Sequence, residues 1–500
     1  MDLEGFAKRR LREAEGRRGE GREEREREIV AEMCSRILEV KRGRTTREKA
    51  EEIARAVLEE AKTTLDLVEE VERGGRKDEL GIFTELKTGV RMGEFGVGSR
   101  GSGDFYAHEK IAAIIGRTSA VVDSSSLSDS GVVRLSDSEG GGDSGKFVVV
   151  TVDGMHSRLS DFPFLAGFHV ARAALRDVYV MGATPVALLS DIHLADDGDV
   201  AKIFDHIAGI SAVSDATGVP LVTGSTLRIG GDVVIGERMT GCVGAVGVAA
   251  TGAEGTEGAE GTEGAEGTEG AEGGVVSREG ARAGDVILMS EGAGGGTIST
   301  AALYFGELEV VKETLNIKFL RACKALVEAG TVRGGAGVHV LTDVTNGGVR
   351  GDANEIAKVA GVKLVFFEER LRGLVNEKVL GMLARHGIDY LGVSLDALLV
   401  ICTEGVAEEV KQVVGGVGVR IEEVGRVEAA GEGSGAEIVV GGVRREFVPK
   451  FRESAYTPVK KAVGESVSAG RDFEAMKRKV DRAVEAAIHK RDRVRRMLII

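Results

Sequence analysis

Residues 163–182, "PFLAGFHVARAALRDVYVMG", constrain the fold more than any other stretch, because apolar side chains cover both faces of the helix they predict. Phe164, Phe168, Ala171, Leu175, Val178 and Gly182 recur at three- and four-residue spacing and make one core face. Ala166, Val170, Ala173 and Asp177 make roughly the opposite face, small and apolar except for the acid. A helix apolar on both sides needs a layer packed against each. The runs "KFVVVTVDG" (146–154) and "PVALLSDIHL" (185–194) read as strands on either side of it, which predicts α/β architecture. Asp177 is then expected to be buried, and a buried carboxylate needs a partner. The candidates are a metal or metal-bound water, or an ion pair with Arg172 or Arg176.

The rest of the chain divides around this block. Residues 1–80 are charge-rich and helical in pattern, with a stripe of Ile53, Val57, Ala61, Leu65 and Val68 that suits a packing or docking helix. Residues 81–252 form the first α/β domain. At 253–274 a hexapeptide, AEGTEG, repeats three times; with no apolar side chain larger than Ala it cannot build a core and predicts a flexible acidic linker. A second α/β block spans 275–445. The tail 446–500 ends in an amphipathic helix marked by Phe473, Met476, Val480, Val484 and Ile488. With 80 acidic against 66 basic side chains, the chain is a poor partner for nucleic acid or an anionic membrane. No apolar run is long enough to span a bilayer. The cysteines, Cys34, Cys242, Cys323 and Cys402, form no CxxC pair, which fits a reducing cytoplasm.

Two phosphate-loop patterns are testable. "GGGDSGKF" (140–147) places Phe147 where a metal-binding hydroxyl belongs and runs into a strand, so it is rejected as a P-loop. "GVGSRG" (96–101) fits a dinucleotide fingerprint, but only an apolar strand at 88–95 would support that use. What remains is the loop 93–104 running into the helix "FYAHEKIAAII". Its bare amides at Gly96, Gly98, Ser99, Gly101, Gly103 and Asp104 suit an anion such as phosphate. "TGSTLRIGG" (223–231), with Gly224, Ser225 and Thr226, is either a second phosphate approach or a turn. Asp123, Asp153, Asp191 and Asp343 each end an apolar run, and with Asp177 they predict a carboxylate cluster of the kind magnesium uses beside nucleotide phosphates. No Ser–His–Asp or Cys–His arrangement is evident.

These elements occur in an order that resembles the aminoimidazole ribonucleotide synthetase (AIR synthase, PurM-like) superfamily. The carriers are Asp-x-x-x-Met-Gly-Ala-x-Pro at 177–185 and Thr-Asp-Val-Thr-x-Gly-Gly at 342–348, over roughly 90–445. The likeness extends to synthetase-related proteins of methanogenic archaea. The resemblance implies a two-domain fold: an N-terminal domain that dimerises through its sheet, a C-terminal α/β domain, and here helical extensions at both ends. It implies ATP in the cleft, and magnesium held by Asp123, Asp153, Asp177 and Asp343. It implies transfer or release of the γ-phosphate to activate an oxygen of a small molecule or peptide. The loop 93–104 has neither the Cys nor the Lys of selenophosphate synthetases, and the sequence ends "RRMLII" rather than in the Cys of the hydrogenase maturation members. The expectation is a cytoplasmic, homodimeric, magnesium- and ATP-dependent enzyme with a different substrate. The alternative is a catalytically inactive ATP-binding regulatory or assembly protein.

Overall fold

The computed structural model describes residues 1–500 except 16–21, 76, 99–100, 137–142, 251–274, 333–336, 346, 432, 451–452, 454, 464–471 and 499–500. The acidic linker 253–274 and Ser99 therefore lie outside the described residues. The chain opens with α1 (Leu3–Glu15), α2 (Arg22–Lys41) and α3 (Arg47–Glu72). Leu3, Met33, Ile37, Ala54, Val57 and Leu58 give these helices their own small core, which reaches the first domain through Ile235. The buried stripe of α3 is Ala50, Ala54, Val57, Leu58 and Ala61, so Ile53, Leu65 and Val68 of the predicted stripe are only half-buried. Two short helices follow, α4 (Met92–Phe95) and α5 (Ser102–Ile115).

The first domain comprises β1 (Gly131–Ser136), β2 (Asp143–Gly154), α6 (Pro163–Tyr179), β3 (Thr184–Leu194), α7 (Ala201–Thr217), β4 (Leu221–Arg228) and β5 (Met239–Ala250). Its sheet runs β1-β2-β5-β3-β4, antiparallel except for the β3–β4 pair. Both predicted strands are present, and α6 is buried along nearly its whole length. Pro163 starts it, where a missing N–H costs nothing. One side of α6 packs on the sheet and the other on helices. Its approach to α7 is backbone to backbone: a Cβ on Gly167 would stand 2.0 Å from the carbonyl oxygen of His206. Any larger residue there forces the two helices apart.

The second domain comprises β6 (Val286–Ser290), α8 (Gly296–Phe305), α9 (Leu308–Thr314), α10 (Lys318–Ala329), β7 (Val338–Asp343), α11 (Gly348–Ala360) and β8 (Val362–Phe367). It continues through α12 (Glu368–Arg372), α13 (Glu377–Arg385), β9 (Leu398–Cys402), α14 (Glu404–Gly416), β10 (Ile421–Ala429), β11 (Gly435–Val440) and β12 (Val443–Glu446). The sheet order is β12-β11-β8-β10-β6-β9-β7. Helix α15 (Pro458–Val463) and the long α16 (Phe473–Leu498) close the chain. Leu175 and Val178 of α6 share one core with Phe319, Leu320 and Cys323 of α10, so the two domains are welded along α6. That weld fixes where Asp177 meets the second domain. Among the described residues no helix is long and apolar enough to cross a membrane.

Candidate functional site

Asp177 sits in the last turn of α6, where the helix leaves the shared core and meets a cavity of about 320 Å³. It is half-buried rather than buried, because its carboxylate reaches that cavity. Thr151 of β2 donates its hydroxyl to Asp177 Oδ2 at 3.1 Å. Ser130, just before β1, donates to the Asp177 carbonyl at 2.6 Å. Asp153 lies two residues beyond Thr151 on the same face of β2, and Asp129 immediately precedes Ser130; both line the cavity with Asp177. Asp343, at the end of β7 and fully buried, lies behind Arg176. Helix α5 closes one wall with His108 and Ile111.

The charges around this cavity are unbalanced. Burial, reinforced by repulsion from Asp343, Asp153 and Asp129, holds the Asp177 carboxyl well above the usual carboxylate range. Burial also lifts Asp343 to about 6, although Arg176 opposes the shift. Asp352 of α11, buried beside Glu355, is pushed up to about 8. Among the described residues two guanidiniums answer these acids. Arg278, buried at the entrance to the second domain, pairs with Asp129 at 2.7 Å and with Glu355, and its Nη2 donates to Thr342 at 3.0 Å. Arg176 Nη2 lies 2.6 Å from Asp343 Oδ2, yet both Asp343 oxygens lack a hydrogen bond of good angle. Arg176 also pairs with Asp396 at 2.5 Å, as does Arg172. Neither arginine forms an ion pair with Asp177. Both reach across the domain junction instead.

A hard divalent cation fits this donor set. Among the described residues the groups are carboxylate oxygens in negative excess, and the buried oxygens of Asp343 accept no well-angled hydrogen bond although Arg176 pairs with one of them. Among the described residues no group of three or more His, Cys, Asp and Glu side chains is arranged as a ready cage. Magnesium does not require one, since it commonly binds through one or two carboxylates completed by water and substrate phosphates.

The other residues singled out in the sequence do not line this cavity. Asp123 caps the 3₁₀ turn Ser124–Ser126, accepting from the Ser125 amide at 2.9 Å and the Thr118 hydroxyl at 2.9 Å. The Ser125 hydrogen bonds hold its carboxyl below the usual range. It lines an open depression of about 500 Å³ that also touches Asp129 and Thr151. Gly96 ends α4 with φ of 84°, and Gly98 donates its amide to Asp104 Oδ1 at 3.0 Å, so buried Asp104 ties Gly98 to the first turn of α5. Gly101 is the N-cap of α5. Gly103 is required by space, since a Cβ there would stand 1.6 Å from the Phe95 carbonyl oxygen. Residues 88–95 form a short helix and extended turns, not an apolar strand, which removes support for dinucleotide binding at 96–101. Gly224, Ser225 and Thr226 lie on the exposed edge strand β4, paired with Ser190, Asp191 and Ile192, and do not line the cavity of Asp177. Asp191 points to the outer sheet face, 3.0 Å from His193 Nε2.

Asp129, Arg278 and Asp352 are the site residues that sequence reasoning missed. The available signal for Asp129 was "SDSGVVRL", an acid at the entry of a strand antiparallel to the one carrying Asp153.

Comparisons with known proteins add the context. Residues 127–249 match the family described as "AIR synthase related protein, N-terminal domain", and residues 282–438 match "AIR synthase related protein, C-terminal domain". The chain is 47% identical to "Uncharacterized protein MJ1416" of Methanocaldococcus jannaschii, over 100% of this chain and 98% of that protein. It is 27% identical to "Selenide, water dikinase" of Myxococcus xanthus, over 50% of this chain and 61% of that one. Among solved structures it is similar to the hydrogenase maturation protein HypE in complex with ATP, with a TM-score of 0.47 and 20% identity, covering 65% of this chain and 89% of that one.

Proposed function

Because this chain belongs to the AIR synthase related family, we propose that it is a magnesium-dependent ATP-binding enzyme. It transfers or releases the γ-phosphate to activate an oxygen of a small-molecule or peptide-borne substrate. The observation that carries this reading is the crowding of Asp129, Asp153 and Asp177 from one domain, with Asp343 of the other behind them, around one cavity in negative excess. A relative named for dikinase activity is in keeping with phosphoryl chemistry.

One or two of Asp129, Asp153 and Asp177, which line the cavity with Asp343 behind them, would hold magnesium, which supplies the positive charge that phosphoryl transfer requires. The chain's own groups do the positioning. Thr151 fixes one oxygen of Asp177, and Arg278 with Thr342 fixes both oxygens of Asp129. Helix α5, whose His108 and Ile111 line the cavity, begins after Gly101, and a helix N-terminus favours phosphate. The outer face of the first sheet supports a homodimer. By register, Val133, Leu135, Val150, Val152, Leu189 and Leu227 share its outer face, and all are exposed. Val152→Glu should convert the dimer to monomer in sedimentation; an unchanged mass would count against pairing through this face.

A second reading, an ATP-binding regulatory or assembly protein without catalysis, is favoured by one observation. Arg278 and Arg176 already neutralise Asp129 and Asp343 in this conformation. Titration calorimetry with ATP, with and without magnesium, tests the first reading. Binding that ignores magnesium would overturn it. ATP turnover above background separates enzyme from binder.

A further inference from the structure

Helix α5 has two opposed faces. Asp104, His108, Ile111 and Ile115 recur at three- and four-residue spacing on one of them, and His108 and Ile111 line the cavity. Tyr106 and Lys110 lie on the other, and both meet α16. The Tyr106 hydroxyl donates to Asp481 Oδ1 at 2.6 Å, and Lys110 Nζ lies 2.8 Å from the same oxygen. Beside them the Phe473 ring packs 5.4 Å from Phe95 and 6.5 Å from Tyr106, centroid to centroid.

The grip continues along α16. Lys490 donates to the Thr84 carbonyl at 2.8 Å, Arg493 to that of Leu80 at 3.2 Å, and Arg491 to that of Ile114. These bonds reach from one end of the segment 80–115 to the other. That segment buries little of its own: Phe95 is buried, whereas Ile82, Phe83, Leu86, Met92, Ile111 and Ile115 are exposed. A segment with so few buried apolar groups opens easily unless something outside it holds it.

We infer that α16 is an intramolecular clamp on the candidate site and that Asp481 is its positioning residue. By holding Tyr106 and Lys110, Asp481 fixes the rotation of α5, and with it the placement of His108 and Ile111 at the cavity. The inference deepens the nucleotide reading and rests on it for the ligand. The C-terminal tail thereby belongs to the site although no residue of α16 lines the cavity.

The test uses the full chain, Asp481→Ala, and the charge-swapped pair Asp481→Lys with Lys110→Asp. Amide exchange across 102–115 and Mg-ATP affinity are measured on each. Asp481→Ala should speed exchange in α5 and weaken Mg-ATP binding by about tenfold, the worth of a charge-assisted contact, while the main melting transition stays in place. The swapped pair should recover most of both effects. Unchanged exchange in α5 would refute the clamp. Faster exchange with unchanged Mg-ATP affinity would refute the positioning role, as would a swapped pair that recovers neither. A wild-type chain that binds no Mg-ATP sinks the nucleotide reading alone, and exchange in α5 still decides whether α16 clamps.

Discussion

Two clusters of buried charge straddle the domain junction and share Arg176, and they are built to opposite rules. In the first, Asp396 takes Arg172 on one oxygen and Arg176 on the other, and Arg172 also donates to the carbonyls of Thr314 at 2.9 Å and Asn316. Asp396 holds this position at φ of 53°, a conformation unfavourable for any residue with a Cβ, so the surrounding packing enforces it. In the second, Asp129, Asp153, Asp177, Asp343, Asp352 and Glu355 crowd around Arg278 and one edge of Arg176. In the first cluster both carboxylate oxygens are paired, whereas among the described residues the second holds more acids than cations. A satisfied cluster locks domains together. An unbalanced one is stable only because protons or a cation complete it.

The largest effect should come from breaking the satisfied cluster. Asp396→Asn takes the shared carboxylate charge from two buried guanidiniums and leaves Arg172 without an ion pair, and we expect a loss of about 3–5 kcal/mol of stability in denaturant or thermal melts. A loss under about 1 kcal/mol would mean that Asp396 is not the lock. Arg278→Met acts on the unbalanced cluster and should cost less, about 1–3 kcal/mol, because the cavity admits water to the acids it abandons. Added magnesium should restore part of that loss, and no restoration would argue against a cation site at Asp129. The smallest effect is a pH slope. Folded Asp352 keeps its proton up to about pH 8, whereas the unfolded chain releases it near pH 4. Between those values the folded state binds the extra proton, so stability falls as pH rises. Asp352→Asn, neutral throughout, should flatten the slope of melting temperature between pH 5 and 8; an unchanged slope would locate the titration elsewhere.

The sequence made the architecture legible where periodicity was strong. Helix α6 and strands β2 and β3 are read from apolar spacing alone, because burial on two faces leaves few other arrangements for such residues. Asp153, Asp177 and Asp343 stood out as acids ending apolar runs. Asp123 stood out for the same reason, but "SAVV" contributes only the isolated bridge Val122–Val132, and its acid caps a turn. Asp129 was hidden by the serines around it and by standing before its strand rather than after. Arg278 was hidden by distance along the chain: its partners Asp129, Thr342 and Glu355 come from both domains, and no local pattern links them. The clamp of α16 on α5 joins residues nearly a chain length apart, so its helix was predictable from the stripe beginning at Phe473 while its target was not.

The central claim is that Asp177 belongs to the unbalanced cluster and not to the lock. It is tested most directly by thermal melting of wild type and Asp177→Asn, each with and without Mg-ATP. Without ligand, the variant should melt at or above the wild-type temperature, because it removes a carboxyl that Asp343, Asp153 and Asp129 repel. With Mg-ATP at about a hundredfold its dissociation constant, wild type should gain about 2.7 kcal/mol and the variant far less. A variant that melts several degrees early without ligand, yet gains the full increment with Mg-ATP, would contradict the account.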